Sequence, residues 1–398
     1  VNLDLDLDDR GVGILPDMDG FAVVICGAGI AGIEGLLRLR RLAGQQVDVT
    51  LLSPDDQLVY RPFATLEPFA PGAVRRYPVE QIAADAGVHW VRDALAWVDR
   101  HQRVVHTVGG QEMPYDALLL AVGGRELSSH EHTDVFTGRD AEHTYGTVLA
   151  AVDAGDIGNL AFILPDGPTW PLPLYELALL TAQHARDGNR RLEITFVTAD
   201  PRPLHAFGGD AGEAMTRLLQ QAGITLYTDS SGDIPEAGHL ILRPSGRELH
   251  PDRIVTLPVI TGPNIRGIPG FALDRFLHVD EFCRVRDTDG RIFAAGDSTD
   301  LPVKQGGVGA QQADTAAAGI AHLAGAAEAP KPLRPVIRGM LLTGTKPLYL
   351  AAHLIAGRGW MAQILDRPPW SVDEKIVAEE LAPYLERFES SGPQRPAG

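Results

Sequence analysis

Gly27, Gly29 and Gly32 form a G-x-G-x-x-G turn in FAVVICGAGIAGIEGLLRLRRLAGQQVDVTLLS, residues 21–53. Glycine at the first position permits a sharp turn. At the second it lets backbone N–H groups approach a pyrophosphate with no Cβ between them. At the third it lets the next helix pack closely on the preceding strand. The positive end of that helix's dipole favours the same anion. Other residues with chemical potential are scattered. Glu176 opens a helix-patterned stretch, His205 follows PRPL in a loop, and Lys304 precedes a glycine-rich run. Trp170 and Tyr175 precede Glu176 and could wall a planar substrate or fill an unused pocket. Each has a plainer alternative. A carboxylate at a helix N-terminus is favoured by the dipole alone. A lone loop histidine is usually just exposed.

The elements that must position these residues follow an α/β pattern. Ala22 to Cys26 and Val47 to Leu52 read as strands on either side of the glycine turn and its helix. Residues 115–124, YDALLLAVGG, are an apolar strand ending in paired glycines. The stretches 89–98 and 102–108 read as strands of a small antiparallel insert. A second β-loop-α-β pattern begins at Asn159, with helices expected over 174–186 and 209–223. The chain thus carries two similar halves. Their first turns differ. Residues 164–176, LPDGPTWPLPLYE, hold one glycine, Gly167, and the prolines Pro165, Pro168, Pro171 and Pro173. Proline donates no N–H and its ring blocks close approach. A second dinucleotide held in the usual way is not expected there. A late strand, RIFAAGDST at 291–299, leads into a Gly-rich loop and an Ala-rich helix over 311–324. The tail from Lys331 mixes prolines with apolar pieces, and SVDEKIVAEELAPYLERF at 371–388 reads as an amphipathic helix. A cap over the core or a homodimer surface is expected of it.

Bulk properties narrow the class. The chain has 398 residues, room for two or three domains, and 44% hydrophobic residues suit a globular protein. A net charge of −17 argues against a nucleic-acid partner and against electrostatic attachment to anionic lipid. Cys26 and Cys283 are the two cysteines, far apart and outside any C-x-x-C, so neither a local redox disulfide nor a metal site is expected. Sparse cysteine fits a cytoplasmic protein. Residues 1–19 read as an acidic flexible leader. No stretch approaches the ~20 apolar residues of a membrane span.

The motifs GAGIAG, YDALLLAVGG and RIFAAGDST, in this order, resemble those of the FAD-dependent pyridine nucleotide–disulfide oxidoreductase superfamily. YRPF, WPLPLYE, VTADPRPL and GDSTDLPVKQGG are similar to its sulfide:quinone oxidoreductase and type II NADH dehydrogenase branch. The resemblance covers most of residues 20–325 and is specific for FAD rather than for substrate. It implies two Rossmann-like three-layer domains with a C-terminal helical cap. The FAD-binding domain would be discontinuous, 20–150 with 270–330. Residues 151–269 would be the second, degenerate Rossmann-like domain, and 331–398 the cap or interface region.

The resemblance also implies roles. Gly27, Gly29, Ala31 and Gly32 would hold the FAD pyrophosphate. Arg61 and Pro62 would lie on the flavin side, with Ala121 and Gly123 along the pyrophosphate and ribose. Gly296 and Asp297 would meet the ribityl chain. Lys304, Gln305 and Gly306 would approach the flavin's pyrimidine edge, where a cation or helix N-terminus favours negative charge. Glu176, Lys304 and Trp170 are the catalytic candidates. Two departures stand out. Ser53 occupies the position where the family usually has Glu or Asp on the adenosine ribose, so that contact weakens or moves to a neighbour. No cysteine stands in the proline-rich turn, in the loop after Gly124 or in the region after Lys304, so the thiol chemistry of sulfide oxidation is missing. The expectation is an FAD-dependent oxidoreductase passing electrons from a small-molecule donor to an acceptor such as a quinone. The alternatives are an NAD(P)H:acceptor reductase and a flavoprotein that has lost catalysis and serves as an interaction module.

Overall fold

In the computed structural model, residues 20–270, 275–355, 358–365, 367–368, 370 and 375–391 are described. The leader expected over residues 1–19 lies outside them. Seven α-helices are described: α1 (Ile30–Ala43), α2 (Val79–Asp85), α3 (Ala141–Ala154), α4 (Leu172–Asp187), α5 (Gly209–Gln221), α6 (Gly306–Leu323) and α7 (Leu381–Ser391). Among the described residues, none is long and apolar enough to cross a membrane.

The first sheet is five-stranded and parallel, in the order Ile292–Ala294, Ala117–Leu120, Phe21–Cys26, Val47–Leu52, His89–Val91. Its central strand is buried on both faces from Val23 to Cys26, as a parallel sheet covered on two sides requires. Helices α1 and α6 lie together on one face. Their small residues allow this: a Cβ on Gly35 would lie 2.7 Å from Leu119 and 3.5 Å from Ala313. The edge strand Ile292–Ala294 arrives after the whole second half of the chain.

The second sheet repeats the plan: Asp134–Val135, Arg253–Thr256, Asn159–Ile163, Glu193–Val197, Thr225–Tyr227, all parallel. Helix α4 starts at Leu172, two residues before the expected start, because Pro171 caps it and Pro173 sits in a first turn that needs no N–H.

Three expectations change. The stretch 89–98 is not one strand of an insert. His89–Val91 joins the first sheet, and only Leu95–Asp99 pairs antiparallel with Val104–Thr107. The Gly-rich run 305–309 is not a loop but the first turn of α6, capped by Gln305. The C-terminal helical cap is instead a three-stranded antiparallel sheet, Val336–Leu341, Leu348–Ile355 and Arg358–Leu365, followed by α7. The helix expected over 371–388 begins only at Leu381, and residues 371–374 lie outside the described residues. The apolar run at Leu348 carries no periodicity that separates helix from strand; pairing on both sides decides it. This sheet lies over the start of α4, where a Cβ on Gly339 would be 3.1 Å from Leu172 and 3.4 Å from Phe207.

Candidate functional site

Two cavities meet where the first sheet, α6 and the C-terminal sheet converge. The larger, about 550 Å³, runs along the ends of the first sheet's strands. The smaller, about 190 Å³, lies between α4, the start of α6 and the C-terminal segment. Ile30, Arg61, Gln305 and Gly306 line both.

The glycine turn forms the floor of the larger cavity. Gly27 has φ +108°, and a Cβ there would strike the Ala121 carbonyl at 2.3 Å. Gly32 lies behind the turn: its Cβ would be 1.9 Å from the Gly27 carbonyl, so it fixes packing and does not line the cavity. Gly29 and Gly123 differ, with nothing within 4 Å of a Cβ at either position. That open space lies at the start of α1, whose first N–H groups lack intrahelical partners. The cleft can take an anionic group against bare backbone, and a methyl at Gly29 would occupy the space.

Ala31, Ser53, Ala121, Gly296 and Asp297 also line this cavity. Ser53 is buried, and its Oγ accepts from Asp55 N–H at 3.3 Å. Asp55 is exposed in the same lining, two residues beyond the position where a carboxylate was missed. Burial raises the Asp297 carboxyl above the usual range, opposed by Lys304 and Arg61. Glu126 and Arg139 belong to the lining as well and carried no signal in the sequence. Glu126 lies 3.9 Å from both Arg61 and Arg139. Burial, and then Arg139, lower the Arg61 guanidinium's pKa.

The smaller cavity gathers Pro62, Trp170 with Glu176, and Lys304 from three separate segments. Its apolar wall includes Leu172, Met340 and Ile376. Glu176 is 1% exposed. Both its oxygens accept from Lys375 Nζ at 2.7 Å, one from Thr65 Oγ1 at 2.7 Å and the other from Leu342 N–H at 3.0 Å. Lys375 lies in the tail and was invisible to motif reading. Burial lowers its pKa and Glu176 opposes that shift. Lys304 turns its ammonium onto the Thr299 carbonyl at 2.5 Å and over the Phe276 ring, so it braces the Asp297 turn. Gln305 caps α6 by accepting from Val308 N–H and donates to the Arg338 carbonyl.

Other candidates fall away. Tyr175 is fully buried and stacked on Phe196 at 4.3 Å, so it is core rather than cavity wall. His205 is exposed and lines neither cavity. Cys26 lies under the glycine turn, its thiol pushed up to about 12 by burial. Cys283 is buried and raised too. Neither lines the smaller cavity. The proline-rich turn is tied down through Ile260 N–H to the Pro168 carbonyl and Thr169 Oγ1 to the Pro258 carbonyl. Among the described residues, no group of three or more His, Cys, Asp or Glu could hold a metal ion.

Residues 21–158 match the profile of the family described as pyridine nucleotide-disulphide oxidoreductase. The mitochondrial sulfide:quinone oxidoreductase of Mus musculus is 25% identical over 104 residues, 26% of this chain and 23% of that protein. The Dictyostelium discoideum counterpart is 27% identical over 104 residues, 25% of this chain and 23% of its own. The chain thus matches about a quarter of these relatives' length. Among solved structures, the sulfide:quinone oxidoreductase of Aquifex aeolicus superposes with TM-score 0.77 at 18% identity, covering 93% of this chain and 91% of that one. A ferredoxin reductase from Rhodopseudomonas palustris gives 0.63 at 21% identity, covering 83% and 82%.

Proposed function

We propose that this chain, whose residues 21–158 are of the pyridine nucleotide-disulphide oxidoreductase family, is an FAD-dependent oxidoreductase that works without redox cysteines. It passes electrons from a small reductant to an acceptor such as a quinone. The observation that carries this reading is the open Gly29 cradle at the start of α1, continuous through Arg61 and Gln305 with a second, largely apolar cavity. In this reading the FAD domain comprises 20–150 with 270–330, and the second Rossmann-like domain 151–269.

Gly27, Gly29 and Ala31 hold the pyrophosphate, with Gly32 fixing the packing behind the turn, and Asp55 takes over the ribose contact from Ser53. Asp297 accepts from the ribityl hydroxyls. Arg61 and the start of α6 stand at the junction and favour negative charge there. FAD, when bound, supplies the one- and two-electron chemistry. Trp170, Met340 and Ile376 wall a planar acceptor and exclude water. Lys375, held by Glu176 at 2.7 Å, is placed to hand a proton to an acceptor oxygen in the smaller cavity. Lys304 supports Asp297 from behind. The second half takes no nicotinamide: its turn offers prolines in place of N–H groups, and the C-terminal sheet covers the start of α4. With both cysteines free and buried, the reading puts the protein in a reducing compartment such as the cytoplasm.

Purification tests the reading directly. The protein is expected to be yellow, or to become so on refolding with FAD. A protein that stays colourless after that treatment overturns it. Stopped-flow mixing with NADH and NADPH is expected to leave the flavin absorbance unchanged.

A further inference from the structure

The last described segment, residues 375–391, is held against α1 and α6 by a cluster of charges. Glu34 of α1 is fully buried. Its two oxygens accept from the backbone N–H groups of Glu380 at 3.0 Å and Leu381 at 2.6 Å. These N–H groups stand at the start of α7, where a helix leaves its donors unsatisfied. A carboxylate from a different helix therefore caps α7. Asp314 of α6 lies in the same buried cluster, its Oδ1 without a hydrogen-bond partner among the described residues. Burial and the charge of Glu34 raise its carboxyl, as two neighbouring buried carboxyls resist ionising together.

The surrounding charges come from every neighbouring element. Arg38 of α1 reaches Glu379 at 3.1 Å and Glu380 at 3.0 Å, and its Nε lies 3.9 Å from Asp314 Oδ1. Those last two atoms are buried with no hydrogen-bond partner among the described residues. Arg41 meets Glu380 at 2.7 Å, and the charge of Glu379 opposes the burial that lowers the pKa of Arg338 in the C-terminal sheet. Four carboxyls thus face three guanidiniums, and one proton balances the group. The same segment carries Lys375 and Ile376 into the smaller cavity.

We propose that Glu34 and Asp314 are positioning residues: by sharing one proton they dock residues 375–391, and through that segment they set Lys375 in the wall of the smaller cavity. Undocked, both carboxyls face water and ionise in the ordinary range, about pH 4. Docked, burial and then the charge of Glu34 push Asp314 up to about 8. Burial raises Glu34 as well. Between these limits the docked state holds a proton that the undocked state has released. Docking therefore weakens as pH rises from the carboxylate range to about 8, and levels off above it. The inference rests on the fold alone, so it stands or falls separately from the FAD reading.

Hydrogen–deuterium exchange of peptides within 375–391, corrected for intrinsic exchange at each pH, tests it from pH 5.5 to 9. Protection is expected to fall with rising pH, by at most about tenfold per unit for one proton, and to flatten above about pH 8. In D314N the amide stands for the protonated carboxyl, and protection is expected to vary with pH less steeply than in the wild type, Glu34 alone remaining to titrate. The idea is overturned if wild-type protection is equal at pH 5.5 and 8.5, or if D314N slopes as the wild type does. Should D314N fail to fold, the wild-type profile alone decides.

Discussion

Single residues in this site divide by what surrounds them. Gly29 and Gly32 share a motif and differ in use. Gly29→Ala is expected to leave the melting temperature nearly unchanged and to weaken FAD about tenfold or more, the equivalent of about 1.5 kcal/mol of contact to a charged group. Gly32→Ala is expected to destabilise the fold by about 3 kcal/mol, because its Cβ meets backbone that cannot yield. Thermal melting beside flavin titration separates the two. Lys375→Met removes one partner of a buried ion pair and is expected to cost about 3–5 kcal/mol. E176Q/K375M is expected to recover part of that, since the amide oxygen still accepts from Leu342 N–H while its NH2 donates to Thr65 Oγ1; urea unfolding reads both. The thiols make a third case. Iodoacetamide is expected to modify neither Cys26 nor Cys283 in the native protein and both after unfolding, because burial raises each thiol's pKa and blocks access. Mass spectrometry counts the adducts.

At the scale of elements, the two half-chains show what a turn can and cannot do. Replacing residues 165–170 with GAGIAG restores bare backbone before α4. NADH is still expected not to bleach the flavin, since Gly339 and Met340 of the C-terminal sheet remain over Leu172 and Pro173. Flavin reduction by NADH in that variant would show that the prolines alone close the site. The central strands of both sheets and the glycine turn were legible in the sequence because their signals are local: apolar runs of strand length, helices between them, and glycines at fixed spacing; the short edge strands His89–Val91 and Asp134–Val135 were not. The C-terminal sheet was not legible. Leu348–Ile355 is apolar almost throughout, and its state depends on partners up to seventeen residues away in sequence. The site shows the same division. Gly29, Asp297 and Gln305 announce themselves by motif, whereas Lys375 is an ordinary lysine until the fold sets it 2.7 Å from Glu176, 199 residues earlier.

For the molecule as a whole, connectivity makes the two sheets unequal. The second sheet takes its four longer strands from one continuous stretch, Asn159 to Thr256. The first needs Ile292–Ala294 and α6 from beyond that stretch. A fragment of residues 130–262 is expected to unfold cooperatively in urea. A fragment of residues 20–128, with Leu118 to Leu120 left as an open apolar edge and α1 uncovered, is expected to show no sigmoidal transition. Circular dichroism on both decides it. The same late strand has a consequence during synthesis. About 170 residues separate Leu120 from Ile292, so at 5–20 residues per second the emerging chain carries that unpaired edge for roughly 10–30 s. Over that interval Leu118, Leu119 and Leu120 form an edge open to pairing with a neighbouring chain on the same polysome, and covering that edge is expected to raise the yield of folded protein.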